Sequence, residues 1–195
     1  MHTQFPQRPF GCLYLLLLFL IPLSTRAQEG LVPEPRLEVE VDPAATLFGG
    51  YSFNFGCQFR HFRISARSYS VNEQRFFLGE EPYGFQSSGI GFAFDYTIVR
   101  GNTPFVGLQT DFRTEQFFGN TLTGSAVHST INAGLRVGYR HHFGGADEGD
   151  FRGFYFAPTF VFSRQLEGGG VEVDGHVYAP RRFSVQPGLN VGYRF

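Results

Sequence analysis

Apolar and polar residues alternate along much of the chain with a period of two, the side-chain period of a β-strand. The stretch "SVQPGLNVGYRF" puts Phe183, Val185, Pro187, Leu189, Val191, Tyr193 and Phe195 on one face and Ser184, Gln186, Gly188, Asn190, Gly192 and Arg194 on the other. Residues 88–99 repeat the pattern, with Ile90, Phe92, Phe94, Tyr96 and Ile98 opposite Gly91, Ala93, Asp95 and Thr97. So do residues 128–142, where Ile131, Ala133, Leu135, Val137 and Tyr139 oppose Asn132, Gly134, Arg136, Gly138 and Arg140. Residues 103–114 set Val106, Leu108, Thr110 and Phe112 against Gly107, Gln109, Asp111 and Arg113. Residues 59–70 set Phe62, Ile64 and Ala66 against His61, Arg63, Ser65 and Arg67. Phe154, Phe156, Phe160 and Phe162 mark 151–163, and Leu47, Tyr51, Phe53 and Phe55 mark 45–56. "RLEVEVD" at 36–42 adds a short first strand, although Pro43 and the acidic positions suit an edge or a linker as well. The total is about eight strands.

Strand length separates two architectures. A soluble sandwich uses strands of about five or six residues with the polar face in water. The runs here approach the about 9–11 residues of a tilted strand crossing a bilayer. Their polar face holds Gly, Ala, Ser, Asn, Asp and Arg, which suits a crowded lumen. The linkers at 57–58, 71–87, 100–102, 115–127, 143–150 and 164–182 alternate short and long. Membrane barrels show the same alternation, with short periplasmic turns and longer outer loops. The expected fold is therefore all-β: a single antiparallel up-and-down transmembrane β-barrel of about eight strands.

The amino-terminal 30 residues change the context. Arg8 precedes an apolar block from Leu13 to Leu23, and Thr25-Arg26-Ala27 follows it. The block is short of the about 20 residues of a membrane-spanning helix and reads as a cleaved secretory signal. The expected organisation is a signal peptide over 1–27, a periplasmic segment over 28–35 and a barrel over 36–195. Cleavage takes 27 residues from 195 and leaves 168, a length that suits one domain. One cysteine, Cys57, remains, so no internal disulfide framework forms and no Cys/His cluster suggests zinc. Phe and Gly each reach 25 while Trp is absent, so aromatic and small residues dominate together. Without Arg8 and Arg26, 14 arginines face 17 acids, a balance that argues against nucleic acid as partner.

The final run carries a resemblance. Phe195, preceded by Leu189, Val191 and Tyr193 at alternate positions, resembles the last strand of Gram-negative outer-membrane β-barrel proteins, whose final residue is aromatic. The architecture is most similar to the small eight-stranded barrels of the OmpA/OmpX type. The likeness implies localisation in the outer membrane, lipid and lipopolysaccharide as surroundings, and a carboxyl-terminal signal, Leu189, Val191, Tyr193 and Phe195, read by the barrel-assembly machinery.

Candidate chemistry lies on the polar face. Arg63, Arg67, Arg113, Arg136, Arg140 and Arg194 share the expected lumen with Asp95 and Asp111, a basic balance. The bore of an eight-stranded barrel is filled by side chains. A plugged hydrogen-bonded network is therefore favoured over a narrow anion-conducting path, which stays as the alternative. His128-Ser129 with Glu115 or Asp111 resembles a nucleophile and base. Adjacent strand residues face opposite ways, however, and the His-x-Ser pattern of lipid A deacylases is missing. The same argument sets aside His141-His142 as a metal pair, and His61 is expected as a packed lumen residue. "LEGGGVEVDG" lacks the lysine and helix of a phosphate loop. The expectation is a structural or surface-interaction protein, not an enzyme, without cofactor or metal.

Overall fold

The computed structural model describes residues 35–72, 83–99, 102–119, 125–143, 151–173, 176–178 and 182–195. The expected signal peptide and nearly all of the segment 28–35 lie outside the described residues. Ten strands are present among the described residues: β1 Arg36–Val41, β2 Tyr51–Phe59, β3 Phe62–Asn72, β4 Tyr83–Thr97, β5 Thr103–Gly119, β6 Ser125–His142, β7 Gly153–Glu167, β8 Val171–Val173, β9 His176–Tyr178 and β10 Phe183–Arg194. A short helix, α1, spans Pro43–Leu47. Eight strands close into an antiparallel barrel in the order β1-β10-β7-β6-β5-β4-β3-β2, and β8 and β9 form a separate hairpin. The fold expected from the alternation is the fold present.

The register measures the closure. From Arg194 the pairing runs through Glu38, Gly56, Ser65, Ala93, Gln109, Gly134 and Ser163 and returns to β10 at Ser184. One circuit thus shifts the chain ten residues, from 194 to 184. A shear of this size on eight strands tilts them by roughly 35–45° and leaves a bore that side chains fill. Glycines on the inward face make room for the large groups across from them. A Cβ added to Gly192 would lie 2.5 Å from the Tyr155 ring, and one on Gly56 would lie 2.7 Å from the Arg63 guanidinium.

Several strand boundaries differ from the alternation. Residues 36–42 do form a strand, and it completes the barrel between β2 and β10. Leu47 does not share a strand with Tyr51, Phe53 and Phe55: it lies in α1, where the Asp42 carboxylate caps Ala44 N at 2.9 Å and Pro43 fits the first turn. The first turn is at Arg60-His61, not 57–58, because Phe59 pairs with Phe62. Arg60 takes the left-handed backbone (φ 56°) that such a tight hairpin demands. Parts of the expected long linkers belong to strands, since β4 starts at Tyr83, β5 reaches Gly119 and β6 starts at Ser125. Polar residues interrupt the apolar alternation there, and a barrel strand that extends past the apolar band no longer needs it.

β1 is short, and its pairing with β10 ends at Val41 and Val191. From Phe183 to Asn190, β10 pairs with β7 alone, and α1 touches β2, β3 and β10 where β1 would have continued. Pro187 lies in that stretch, where a strand tolerates a missing N–H. Pro158 lies where the β6–β7 pairing lapses, between Gly138/Thr159 and His141/Phe156.

Gly192→Val places three extra carbons against the Tyr155 ring and is expected to abolish the heat-modifiable, faster-migrating gel band of folded protein. Gly169, with nothing within 4 Å of its added Cβ, is the control, and Gly169→Ala should keep that band at the wild-type level.

Candidate functional site: the ionic lumen

Alternation fixes what points inward, and the register stacks it. Glu38 and Glu40 on β1, Arg63 on β3, Asp95 on β4, Arg136 and Arg140 on β6, Tyr155 on β7 and Arg194 on β10 are all buried inside the barrel. They gather toward the end that carries the 60–61 turn and Arg194. Glu38 is the centre of this group. Its Oε2 accepts from Arg63 Nε at 2.6 Å and from the Tyr155 hydroxyl at 3.2 Å, while its Oε1 accepts from Arg194 Nε at 2.7 Å. Arg140 Nη1 lies 4.0 Å from the same Oε1. One carboxylate therefore faces three guanidinium groups.

The remaining charges extend this arrangement. Glu40 Oε1 lies 2.9 Å from Arg63 Nη2 and accepts from the Tyr155 hydroxyl at 2.9 Å. Asp95 bridges Arg63 at 3.3 Å and Arg136 at 3.4 Å. Gln58 Oε1 accepts from Arg140 at 3.2 Å and from Arg194 at 2.5 Å. The rings of Phe105 and Tyr155 lie beneath guanidinium carbons, Phe105 under Arg136 and Arg140 at 5.2 and 5.4 Å, Tyr155 under Arg140 at 5.2 Å. Such contacts recover part of the solvation that a buried cation loses.

A second group sits nearer the opposite, loop-bearing end. Arg67 Nε donates to Asp111 at 2.9 Å, and Gln109 donates to the other Asp111 oxygen at 2.8 Å. Arg113 donates to the Tyr69 hydroxyl at 3.2 Å and lies 3.6 Å from Glu115. Between the two groups is a polar cavity of about 120 Å3, lined among others by Asn54, Arg67, Gln109, Arg136 and Asn190. Asn54 donates to Asn190 across it at 3.3 Å.

All eight residues expected in the lumen, Arg63, Arg67, Asp95, Asp111, Arg113, Arg136, Arg140 and Arg194, face inward, and each has an oppositely charged neighbour within 4.0 Å. The expected basic balance is corrected. Glu38, Glu40 and Glu115 join Asp95 and Asp111, so five carboxylates meet the six arginines. The two glutamates of "RLEVEV" alternate with Leu37, Val39 and Val41, a pattern that already assigned them inward had that segment been taken as barrel wall. His61 is not a lumen residue. It sits in the β2–β3 turn, its Nδ1 2.9 Å from Thr97 O and its ring 5.8 Å from that of outward-facing Tyr96. His128 belongs to β6 and is buried, not at a loop end, whereas Ser129 faces out and lies 3.4 Å from Thr114 Oγ1. His141 packs against Phe156 and Phe143, and buried His142 packs against Tyr155 and Phe151, so the pair diverges. Leu189, Val191, Tyr193 and Phe195 all face outward.

Breaking a buried ion pair by removing one partner costs about 3–5 kcal/mol, because the other charge stays buried. Glu38→Ala leaves Arg194 and Arg63 without their shortest carboxylate contacts, and should lower the unfolding free energy in lipid vesicles by about that amount. Urea titration read by gel mobility checks it, and a loss below about 1 kcal/mol, the scale of an exposed pair, would contradict a central role for Glu38.

No family of known proteins matches the chain, and no curated protein matches it in sequence. Among solved structures, Neisserial surface protein A is similar in fold, with a TM-score of 0.51 at 9% identity over 82% of this chain and 94% of that one. At that identity the likeness establishes the architecture, a closed eight-stranded antiparallel barrel, as the property the two chains share.

Proposed function

We propose that this chain is an integral outer-membrane barrel protein whose lumen is closed by its ionic network, and whose role is structural or one of surface interaction. The observation that carries this reading is the inversion of the molecule. Every barrel strand exposes large apolar side chains outward, among them Leu37, Phe55, Ile64, Phe94, Leu108, Leu135, Phe160 and Val185, while the buried interior is mostly polar or charged. In water that arrangement is unfavourable on both faces, and in a bilayer it is favourable on both. No helix among the described residues is long and apolar enough to cross a membrane.

Outward aromatics at one rim support it further. Phe62 stacks on Phe94 and tilts against Tyr96, Phe143 packs on Phe156, and Tyr193 makes edge contacts with Phe154 and Phe195. Such a girdle belongs at a membrane–water interface. This rim carries the two-residue turn and would be periplasmic, leaving β8–β9 and the wider connections outside. There they would meet lipopolysaccharide or another surface. The outward row Leu189, Val191, Tyr193 and Phe195 would serve as the segment recognised by the barrel-assembly machinery. A narrow channel is the second reading, and the polar cavity between Arg67 and Arg136 is what favours it.

The His128-Ser129 pair does not support an enzymatic reading. His128 and Ser129 point to opposite faces, so the imidazole has no adjacent nucleophile.

Two outcomes test these assignments. In planar bilayers the wild-type protein should give no steady single-channel current, and Arg63→Ala together with Glu38→Ala should open one; a stable anion-selective wild-type conductance would instead establish the channel. Tyr193→Ala with Phe195→Ala should reduce the amount assembled in the outer membrane several-fold at unchanged synthesis, measured by fractionation and heat modifiability, and full assembly of that variant would refute the recognition role.

A further inference from the structure

The two ionic groups of the lumen hold six arginines and five carboxylates, an excess of one positive charge. Arg136 is the least compensated of the six. Its side chain is 5% exposed, yet no hydrogen bond to a described residue engages its guanidinium. Its ion contact, to Asp95 at 3.4 Å, is shared with Arg63, which lies 3.3 Å from the same oxygen. The Phe105 ring covers it at 5.2 Å. A buried charged donor left without an acceptor is costly, and the cost is removed by a ligand that accepts.

Arg136 lines the polar cavity of about 120 Å3 between the two groups. Arg67 lines it as well, with Nε given to Asp111, and Asn190 lends it an amide whose oxygen accepts from Asn54 while its nitrogen has no described partner. These donors converge on one space that is large enough for a carboxylate and several waters. A planar guanidinium with a free N–H pair matches a carboxylate in bidentate fashion. The carboxylate in the lining, Asp42, belongs to the β1 side, three strands round the wall from β6, and accepts from Ala44 N at 2.9 Å.

The cavity also adjoins the weak part of the wall. Pro187 and Gly188 line it, and both lie in the stretch of β10 that pairs with β7 and has no β1 partner. Gly188 brings no side chain to the seam between α1 and β10. Outside the seam, Val185 and Leu189 of β10 and Leu47 of α1 present exposed apolar side chains. A polar head held at Arg136 and an apolar tail laid on this outer face would satisfy both surroundings.

We propose that Arg136, assisted by Arg67 and Asn190, binds one carboxylate in the lumen cavity, and that this carboxylate is the head of a single-chain amphiphile whose tail leaves between α1 and β10. The carboxylate supplies the negative charge that the lumen lacks and the acceptor that Arg136 lacks.

The test uses the whole barrel refolded in detergent, with carboxyl-labelled oleate and acetate followed by carbon NMR. Oleate should give a bound carboxyl resonance distinct from that of micellar oleate, and acetate should displace it only at far higher concentration. Acetate binding as tightly as oleate would overturn the tail route through the seam. Arg136→Gln should weaken oleate binding about tenfold or more, Arg136→Lys by less, since charge remains and the fork is lost, and Arg60→Gln at the turn should leave it unchanged. Heat modifiability reports whether each variant is folded. In the wild-type protein, which needs no variant, stearate carrying a nitroxide on its tail should broaden the methyl signals of Val185 and Leu189 and spare those of Leu37 on β1; equal broadening of all three would overturn the seam. Both arms run in detergent, so their failure would leave the membrane reading standing. No bound oleate resonance, or one that survives Arg136→Gln in folded protein, overturns the proposal.

Discussion

A single carboxylate, Glu38, lies where the barrel has to close. It sits on β1, bonds Arg194 on the neighbouring β10, and reaches across the bore to Arg63 on β3 and Tyr155 on β7. The backbone ladder between β1 and β10 is brief, ending at Val41 and Val191. Side-chain ionic contacts therefore supplement a seam with few main-chain bonds. Removing charges from water is costly, and the cost is offset only when pairing and hydrogen bonding are nearly complete. Here each arginine of the group meets a carboxylate, an amide or an aromatic face, and the glycines of the wall give those long side chains their volume.

That constraint also accounts for the composition. Glycine is plentiful because an eight-stranded bore cannot hold a large side chain at every inward position. Where Arg63 or Tyr155 crosses the lumen, the facing position is Gly56 or Gly192. Phenylalanine is plentiful because the other face is turned to an apolar surrounding on the reading proposed here. The mean hydropathy of −0.13 then reflects two opposite environments averaged over one chain.

Most of the wall was legible in the sequence, since period-two alternation persists wherever one face is apolar throughout. Phe92, Phe94, Leu108, Leu135 and Phe160 announced their faces directly. What was not legible had specific causes. Leu47 continues the alternation numerically, yet Asp42 and Pro43 start a helix there through a local cap that periodicity does not register. The strand ends near Tyr83, Gly119 and Ser125 escaped because strands beyond the apolar band lose their alternation. The lumen appeared basic because Glu38 and Glu40 lie in a segment whose acidity also suits a linker, and only the pairing of β1 with both β2 and β10 assigns them inward.

Everything rests on which face meets which surrounding, and the absence of tryptophan from the chain makes that measurable. Single tryptophans at Phe94→Trp, facing out, and Phe105→Trp, facing in, can be compared by quenching in vesicles of brominated lipid and by acrylamide in water. The account predicts strong quenching of the Phe94→Trp protein by lipid-borne bromine, little by acrylamide, and a Phe105→Trp signal largely protected from both. Free acrylamide quenching of Phe94→Trp, with no effect of bromine, would place the apolar face away from lipid and contradict the membrane assignment.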